Sequence, residues 1–355
     1  MIMRSNHARP LGVGIIGFGR IGAEHAGWLS QSARARAVAV SDATPARRDL
    51  AARRGLHAFD TVDALLAEPA VDAVLVATPT SLHREHALAA LDAGRHVMIE
   101  KPMALSLAEA RQIVDRAAAA GRVVSVFHNR RWDEDYLTVA AAMKAGVFGR
   151  VFNIESRLGQ WQSCVGPAAP EFHPNWRNES AFGGGGLYDW GSHFIDQLWR
   201  LVWPARPQRV FAQLRGNVWT NDCDDLARVL IDFTGGLVGM VEINTTTTRP
   251  LPRWHIDGTH GSAFSPYSPE FDTSVWASLR FSDADGQTHR TLDRAAPGLS
   301  PADIWDRFAA AIVEEATPAV TAASVLPTMA LLDAARQSSQ RGAAVEVADA
   351  VDWVL

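Results

Sequence analysis

Two cysteines in 355 residues exclude a disulfide-stapled scaffold. Cys164 and Cys223 sit in loop-like surroundings without the spacing of metal ligands, so free thiols and no metal site are expected. No run approaches the roughly 18 apolar residues that span a bilayer, and the opening MIMRSNHARP lacks the apolar core of a signal peptide. A cytoplasmic location without a membrane partner follows as an expectation. Basic clusters are scarce too. Arg47-Arg48 and Arg53-Arg54 share one helix-like stretch, and the formal net charge is −5, which disfavours a nucleic-acid partner. There is no internal repeat and, alanine-rich helices aside, no low-complexity tract.

What is present suits an ordinary soluble chain: 47% hydrophobic and 21% charged residues, at a length that makes two domains the default. The runs LGVGII (11–16), RAVAVS (36–41), AVLVA (73–77), HVMIE (96–100) and VVSVF (123–127) are short, apolar and rich in β-branched residues, as buried parallel strands are. Helix-like stretches separate them. The clearest spans 106–120, where Ser106 and Glu109 form an S-x-x-E capping pattern and Gly121 ends the run. Strand and helix alternating in this way predict a doubly wound parallel α/β sheet of the Rossmann type.

Directly after the first strand comes GFGRIG, with Gly17, Gly19 and Gly22, and Asp42 closes the second strand. Strand, glycines, helix and acid all fall where a dinucleotide needs them. Gly17 permits a tight turn, Gly19 a close backbone approach to a diphosphate, and Gly22 close helix packing, with the diphosphate on the helix N-terminus. Phe18, Arg20 and Ile21 complete the loop. Asp42 is placed to accept from a ribose 2′-hydroxyl and to repel a 2′-phosphate, which favours NAD. Arg47 or Arg48 reaching a 2′-phosphate, with Asp42 swung aside, keeps NADP open.

A second constellation is LYDWGSHFIDQ (187–197), which follows four glycines, Gly183–Gly186. On a helix, Asp189 and His193 stack about one turn apart. Spacing alone leaves an acid/base couple, a metal site and a buried hydrogen bond all open; no third ligand stands at useful spacing for a metal. The glycines are expected to let this loop approach the cofactor cleft. Lys101, in EKP just beyond the fourth strand, lies where open α/β sheets gather ligands, and Pro102 makes a cis peptide possible.

GFGRIG, VATPTSLHREHALAALDAGRHVMIEKPMALSLAEA (76–110), FHNRRWDEDYL (127–137) and GGGGLYDWGSHFIDQ (183–197) together resemble the glucose-fructose oxidoreductase, inositol dehydrogenase and MocA family. The likeness runs from about residue 11 to the C-terminus, and FHNRRWD and LYDxGSHxIDQ are most similar to its scyllo-inositol dehydrogenase branch. The resemblance implies a Rossmann domain over 11–128, after a flexible 1–10. It also implies a C-terminal α/β domain over 129–355, whose open, mainly antiparallel sheet forms a homodimer or homotetramer. Strand-like runs at 150–157, 208–214, 226–233 and 237–243 agree with this, as do helices beginning at Ser300-Pro301 and covering 325–341; C-terminal helices are expected to pack back on the first domain.

The family's catalytic lysine, aspartate and histidine map onto Lys101, Asp189 and His193. Their chemistry suits removal of hydride from a secondary alcohol. His193 takes the hydroxyl proton, Lys101 stabilises charge on the alcohol oxygen, and Asp189 orients His193, holds a substrate hydroxyl or influences the lysine. Thr78, Pro79, His83, Glu100, Lys101 and Asn129 are the matching cofactor positions. Arg131 and Trp132 are candidates for binding substrate or linking domains. Twelve tryptophans against three tyrosines supply flat apolar rings that suit sugar C–H faces, Trp161 and Trp176 being candidates.

The segment 155–179 departs from the inositol branch, which carries a basic and aromatic stretch of the kind ESHFDRFRP there. The expected substrate is therefore a cyclic polyol or sugar, scyllo-inositol first. A glycoside 3-dehydrogenase, within a redox-neutral NAD-dependent glycosidase, is the alternative. A cofactor-sensing regulator without catalysis is disfavoured because both Lys101 and His193 are retained.

Overall fold

The computed structural model describes residues 9–164 and 175–355. Most of the arm expected over 1–10 lies outside them, and so does 165–174, the centre of the divergent segment. Arg9, the first described residue, is held by two hydrogen bonds to the Asp72 carboxylate. The chain divides into two compact units, one of 9–128 with Leu299–Ala323, the other of 129–164 with Asn175–Gly298 and Ser324–Leu355.

The first unit runs β1 (Leu11–Ile16), α1 (Arg20–Leu29), β2 (Ala35–Ser41), α2 (Pro45–Arg53), β3 (His57–Phe59), α3 (Val62–Leu66), β4 (Ala73–Val76), α4 (His83–Asp92), β5 (His96–Ile99), α5 (Leu107–Ala120) and β6 (Val124–Val126). Among the described residues its six strands pair in parallel in the order β3-β2-β1-β4-β5-β6. That is the doubly wound Rossmann order, and its direction reverses between β1 and β4, where ligands of such sheets bind. β1, β4 and β6 are buried throughout, as their uninterrupted apolar runs require of strands covered on both faces. Ser106 caps α5 by accepting from the Glu109 N–H, while the Glu109 carboxylate accepts from Leu105 N–H.

The second unit contains α6 (Glu134–Lys144), β7 (Val151–Gly159), α7 (Ser192–Val202), β8 (Pro207–Arg215), β9 (Leu226–Phe233), β10 (Val238–Asn244), β11 (Trp254–Gly258), β12 (Gly261–Phe264), α8 (Thr273–Trp276), β13 (Arg280–Asp283) and β14 (His289–Thr291). Then α9 (Pro301–Val313) belongs to the first unit, and α10 (Leu326–Arg341) and β15 (Val345–Glu346) return to the second. Ser300 and Asp303 form a reciprocal capping box on α9, with Pro301 at its first position.

Among the described residues the second sheet orders its strands β14-β13-β12-β11-β7-β10-β9-β8-β15, and only β7–β10 pair in parallel. Alternation is clean in β9, where Ala227, Val229 and Ile231 are buried while Arg228 and Leu230 are exposed. The buried side packs against α7 and α10. The other side carries one row across neighbouring strands, Phe211, Leu230, Met240, Glu155, His255 and Phe264, in which Phe211, Leu230 and Phe264 are exposed.

Candidate active site

In the first unit the three glycines of the loop differ in what their missing side chains leave room for. Gly17 has φ +90°, and a Cβ there would lie 2.9 Å from Ala77 O; on Gly22 it would lie 2.1 Å from Gly17 O. Both are therefore demanded by the protein's own packing. A Cβ on Gly19 would meet none of the described residues within 4 Å, so their packing does not demand that glycine, and the open space fits the close approach of a diphosphate. Gly19 also caps α1 without any side-chain hydrogen bond, and the first turn of α1 holds no acid. Exposed N–H groups at a positive helix end fit the phosphates of a dinucleotide.

Asp42 is held by the loop it serves. Its Oδ2 accepts from Phe18 N–H at 2.7 Å and its Oδ1 from Thr44 N–H at 2.8 Å. Arg48 is turned to the carbonyls of Asp42 and Ala43, Arg20 pairs with Glu24, and the Phe18 ring is buried. Arg47 and Ile21 are half-buried in the same region.

Beyond β4, Thr78 and Pro79 are half-buried, but His83 is not open to a ligand. Its ring is buried, with Nδ1 2.8 Å from Pro102 O and Nε2 2.9 Å from Thr78 O. Burial pushes the His83 pKa below its ordinary value, and the two carbonyls pull against that shift without overcoming it.

Glu100 likewise turns inward. Its Oε1 lies 2.8 Å from His25 Nε2, and its Oε2 accepts from Lys101 N–H at 3.0 Å. Trp305 Nε1–H donates to His25 Nδ1 at 3.1 Å. An indole only donates, so Nδ1 accepts and the imidazole proton sits on Nε2, pointing at Glu100. Burial pushes the Glu100 carboxyl up. The His25 hydrogen bond, the Lys101 charge and the Lys101 N–H outweigh it and hold the group below the usual range. Lys101 is half-buried, and the Lys101–Pro102 peptide is cis.

In the second unit Asp189 and His193 do lie on one continuous helical segment, but not a uniform one. Leu187–Gly191 is a π-turn that leads into α7. Asp189 therefore sits on a wider turn than His193, a distortion that occurs often at functional sites. Asp189 is half-buried, while His193 is buried.

Two of the glycines before the π-turn also serve local packing: a Cβ on Gly184 would strike Arg177 O at 2.5 Å, and one on Gly185 would strike Asp224 Oδ1 at 2.4 Å. They make room for the protein's own backbone and a buried carboxylate. Arg131, a candidate for binding substrate or linking domains, is turned inward. Its guanidinium is buried on Asp196 and Ser324, where it anchors α7. Trp132 and Asn129 are half-buried on the turn Asn129–Trp132.

Arg177 is the residue that spacing did not reveal. Its Nε lies 3.7 Å from Asp189 Oδ1, and its guanidinium stands 4.3 Å over the Trp176 ring. The available signal was the pair Trp176-Arg177 itself, a cation beside an aromatic ring. Trp161 is 53% exposed and meets Trp219 edge to face at 5.2 Å.

Residues 11–128 match the model of the GFO_IDH_MocA oxidoreductase family with NAD-binding Rossmann fold, and 136–264 match the GFO/IDH/MocA C-terminal domain. The chain belongs to the GFO/IDH/MocA family. It is an oxidoreductase with an NAD-binding Rossmann domain, and the expected doubly wound sheet and open, mainly antiparallel sheet are both present.

Among GFO/IDH/MocA relatives, the chain is 30% identical to scyllo-inositol 2-dehydrogenase (NADP(+)) IolW of Bacillus subtilis, over 70% of this chain and 67% of that one. An NAD-binding protein from Listeria innocua superposes with a TM-score of 0.85 at 29% identity, over 96% of this chain and 98% of that one. Levoglucosan dehydrogenase, in complex with NADH and levoglucosan, superposes with a TM-score of 0.78 at 25% identity, over 96% and 100%. Lysine is so rare in this member of the family that Lys101 and Lys144 are its whole complement. Among the described residues no helix is long and apolar enough to cross a membrane.

Proposed function

We propose that this oxidoreductase oxidises one secondary hydroxyl of a cyclic polyol or sugar, or reduces the corresponding ketone, with inositols as the leading substrates. The observation that carries the reading is membership of the family together with 30% identity to an inositol dehydrogenase; Lys101, Asp189 and His193 stand where the resemblance places the catalytic group. Residues 11–128 hold the dinucleotide, while the second unit, which within 129–355 excludes Leu299–Ala323, supplies the substrate pocket and the self-association surface.

The nicotinamide, when bound, supplies the hydride acceptor. The loop around Gly19 and the N-terminus of α1 hold its diphosphate, and Asp42 takes the ribose hydroxyls, which favours NAD. Thr78, Pro79 and Asn129 line the cofactor. His193 accepts the hydroxyl proton as the C–H bond breaks, and the Lys101 ammonium stabilises the charge that builds on the alcohol oxygen. Asp189 holds a neighbouring substrate hydroxyl, with Arg177 keeping the carboxylate in place. Trp176 offers a ring face to the substrate's C–H bonds.

Likeness to levoglucosan dehydrogenase favours an intact sugar or glycoside as the second reading. A spectrophotometric panel of inositols, hexoses and glycosides, run with NAD and NADP in parallel, tests both. Turnover with inositols supports the first reading, and turnover confined to sugars or glycosides replaces it with the second. No reduction of either cofactor by any member rejects both. The exposed row with Phe211, Leu230 and Phe264 supports self-association through the open sheet.

A further inference from the structure

Lys101 is the middle residue of Glu100–Lys101–Pro102, and both neighbours are gripped by buried histidines from different helices. On one side His25, in α1, hydrogen-bonds the Glu100 carboxylate, whose other oxygen holds the Lys101 N–H. On the other side His83, at the start of α4, reaches the Pro102 carbonyl with one ring nitrogen and the Thr78 carbonyl with the other. Trp305 of α9 locks the His25 ring from behind. The imidazole is also enclosed edge to face by Trp28 and Phe127, at 4.7 and 4.3 Å.

We propose that His25, Glu100 and His83 are positioning residues that together fix the direction of the Lys101 side chain and tie it to the helix that carries the glycine loop. The inference rests on the reading of Lys101 as the group that stabilises charge on the substrate oxygen.

Packing alone does not account for this arrangement. His25 falls on the buried stripe of α1 with Gly22 and Leu29, where an apolar residue would fill the space without a polar group to satisfy. Glu100 is an acid at the end of a buried strand, 6% exposed. Burying a carboxylate is costly unless it is fully hydrogen-bonded. What the pair supplies is direction: a charged acceptor behind the Lys101 peptide, itself held by a ring whose tautomer the indole fixes. His83 reaches at least one of its two carbonyls as a donor in either ring form. Because α1 also begins at the glycine loop, Lys101 and the loop share one rigid set of contacts.

The scarcity of lysine makes the proposal directly testable. In protein labelled with 13C at the lysine Cε, two side-chain signals are expected, and Lys101→Met assigns them. His25→Phe keeps an aromatic ring and removes both hydrogen bonds; His83→Leu removes the opposite grip. Each is expected to move the Lys101 signal, leave the Lys144 signal in place, and slow hydride transfer by about a hundred-fold, the cost of a small misplacement of a reacting group. NADH affinity should stay within about two-fold, since the phosphate contacts are untouched.

His25→Gln, which retains one donor and one acceptor, should recover most of the signal position and the rate. If His25→Phe does not fold, Glu100→Gln, equal in size but uncharged, must move the Lys101 signal for the proposal to stand. An unmoved Lys101 signal in the folded variants overturns the proposal, as does a rate loss matched by an equal loss of NADH binding. Parental turnover in Lys101→Met rejects the catalytic reading of the lysine and the purpose of the brace with it; the Lys101 signal still reports whether the grip exists.

Discussion

Arg131 and Asp196 meet through two parallel hydrogen bonds, Nε to Oδ2 and Nη2 to Oδ1, each 2.7 Å, with both side chains almost wholly buried. Asp196 lies one turn beyond His193 on α7, and its Oδ1 also accepts from Thr328 of α10. Arg131→Met strips a buried carboxylate of its bidentate partner and is expected to cost about 3–5 kcal/mol. In urea unfolding, the double variant Arg131→Met/Asp196→Leu should regain most of that loss. A substrate-binding arginine would behave oppositely, raising KM while leaving the unfolding midpoint where it was.

Lys101→Met and His193→Ala are each expected to reduce turnover by about a hundred-fold or more, the range for loss of one acid, base or electrostatic group. NADH binding, followed by fluorescence titration, should be nearly intact in both. Normal turnover in both variants would sink the assignment.

What could be read from the chain in advance was whatever repeats at a strand's or helix's own period, or ends in a chemically distinctive cap. The runs 11–16 and 226–233 declare themselves by apolar content or alternation, and Ser300-Pro301 by its cap. β3 carries no such signal: its three residues, His57–Phe59, are not buried. In β11, buried Trp254 and Ile256 alternate with His255 and Asp257 on the open face, so five residues held too little contrast to stand out. The π-turn is invisible to spacing because Asp189 and His193 remain four apart whether the turn is α or π. His25 leaves one trace in the sequence, a titratable ring on a buried stripe whose other members are Gly22 and Leu29.

Asp42 should control the choice of dinucleotide. Its two oxygens are fixed by Phe18 N–H and Thr44 N–H, so the carboxylate does not move aside without breaking two hydrogen bonds. Asp42→Ser removes the negative charge from the place where a 2′-phosphate would lie, and is expected to raise the NADP-to-NAD ratio of kcat/KM by about ten-fold or more, equivalent to roughly 1.4 kcal/mol. Parallel initial-rate measurements with both cofactors decide it; an unchanged ratio shows that specificity lies elsewhere.

The open face of the second sheet makes a different kind of claim. Phe211 and Leu230 pair across β8 and β9 and are both exposed, a poor arrangement for a surface that stays in water. Leu230→Glu places a charge between Phe211 and Met240 in this row, and the expected outcome in sedimentation velocity is a shift to a smaller species with the fold retained. The same sedimentation coefficient for parent and variant would exclude this face as the contact.

The pH dependence of stability turns on Asp224. Burial pushes its pKa up to about 6 against 3.8, although its carboxylate accepts from Leu187 N–H at 2.7 Å at the start of the π-turn. Between pH 6 and 4 the folded chain therefore holds a proton that the unfolded chain has released. On this account stability rises as pH falls through that window, and above pH 6 the charged carboxylate is a burden of about 3 kcal/mol. Asp133 has the same sign, also pushed up to about 6 by burial, which the neighbouring Arg130 only partly offsets, whereas Glu100 contributes in the opposite sense. Both remain in an Asp224→Asn variant and cancel when it is compared with the parent. Asn keeps an acceptor for Leu187 and cannot ionise. The stability of the variant relative to the parent should grow by up to about 3 kcal/mol between pH 4 and pH 7.5. Urea midpoints at three pH values measure that slope, and a flat difference would show that Asp224 does not titrate in this range.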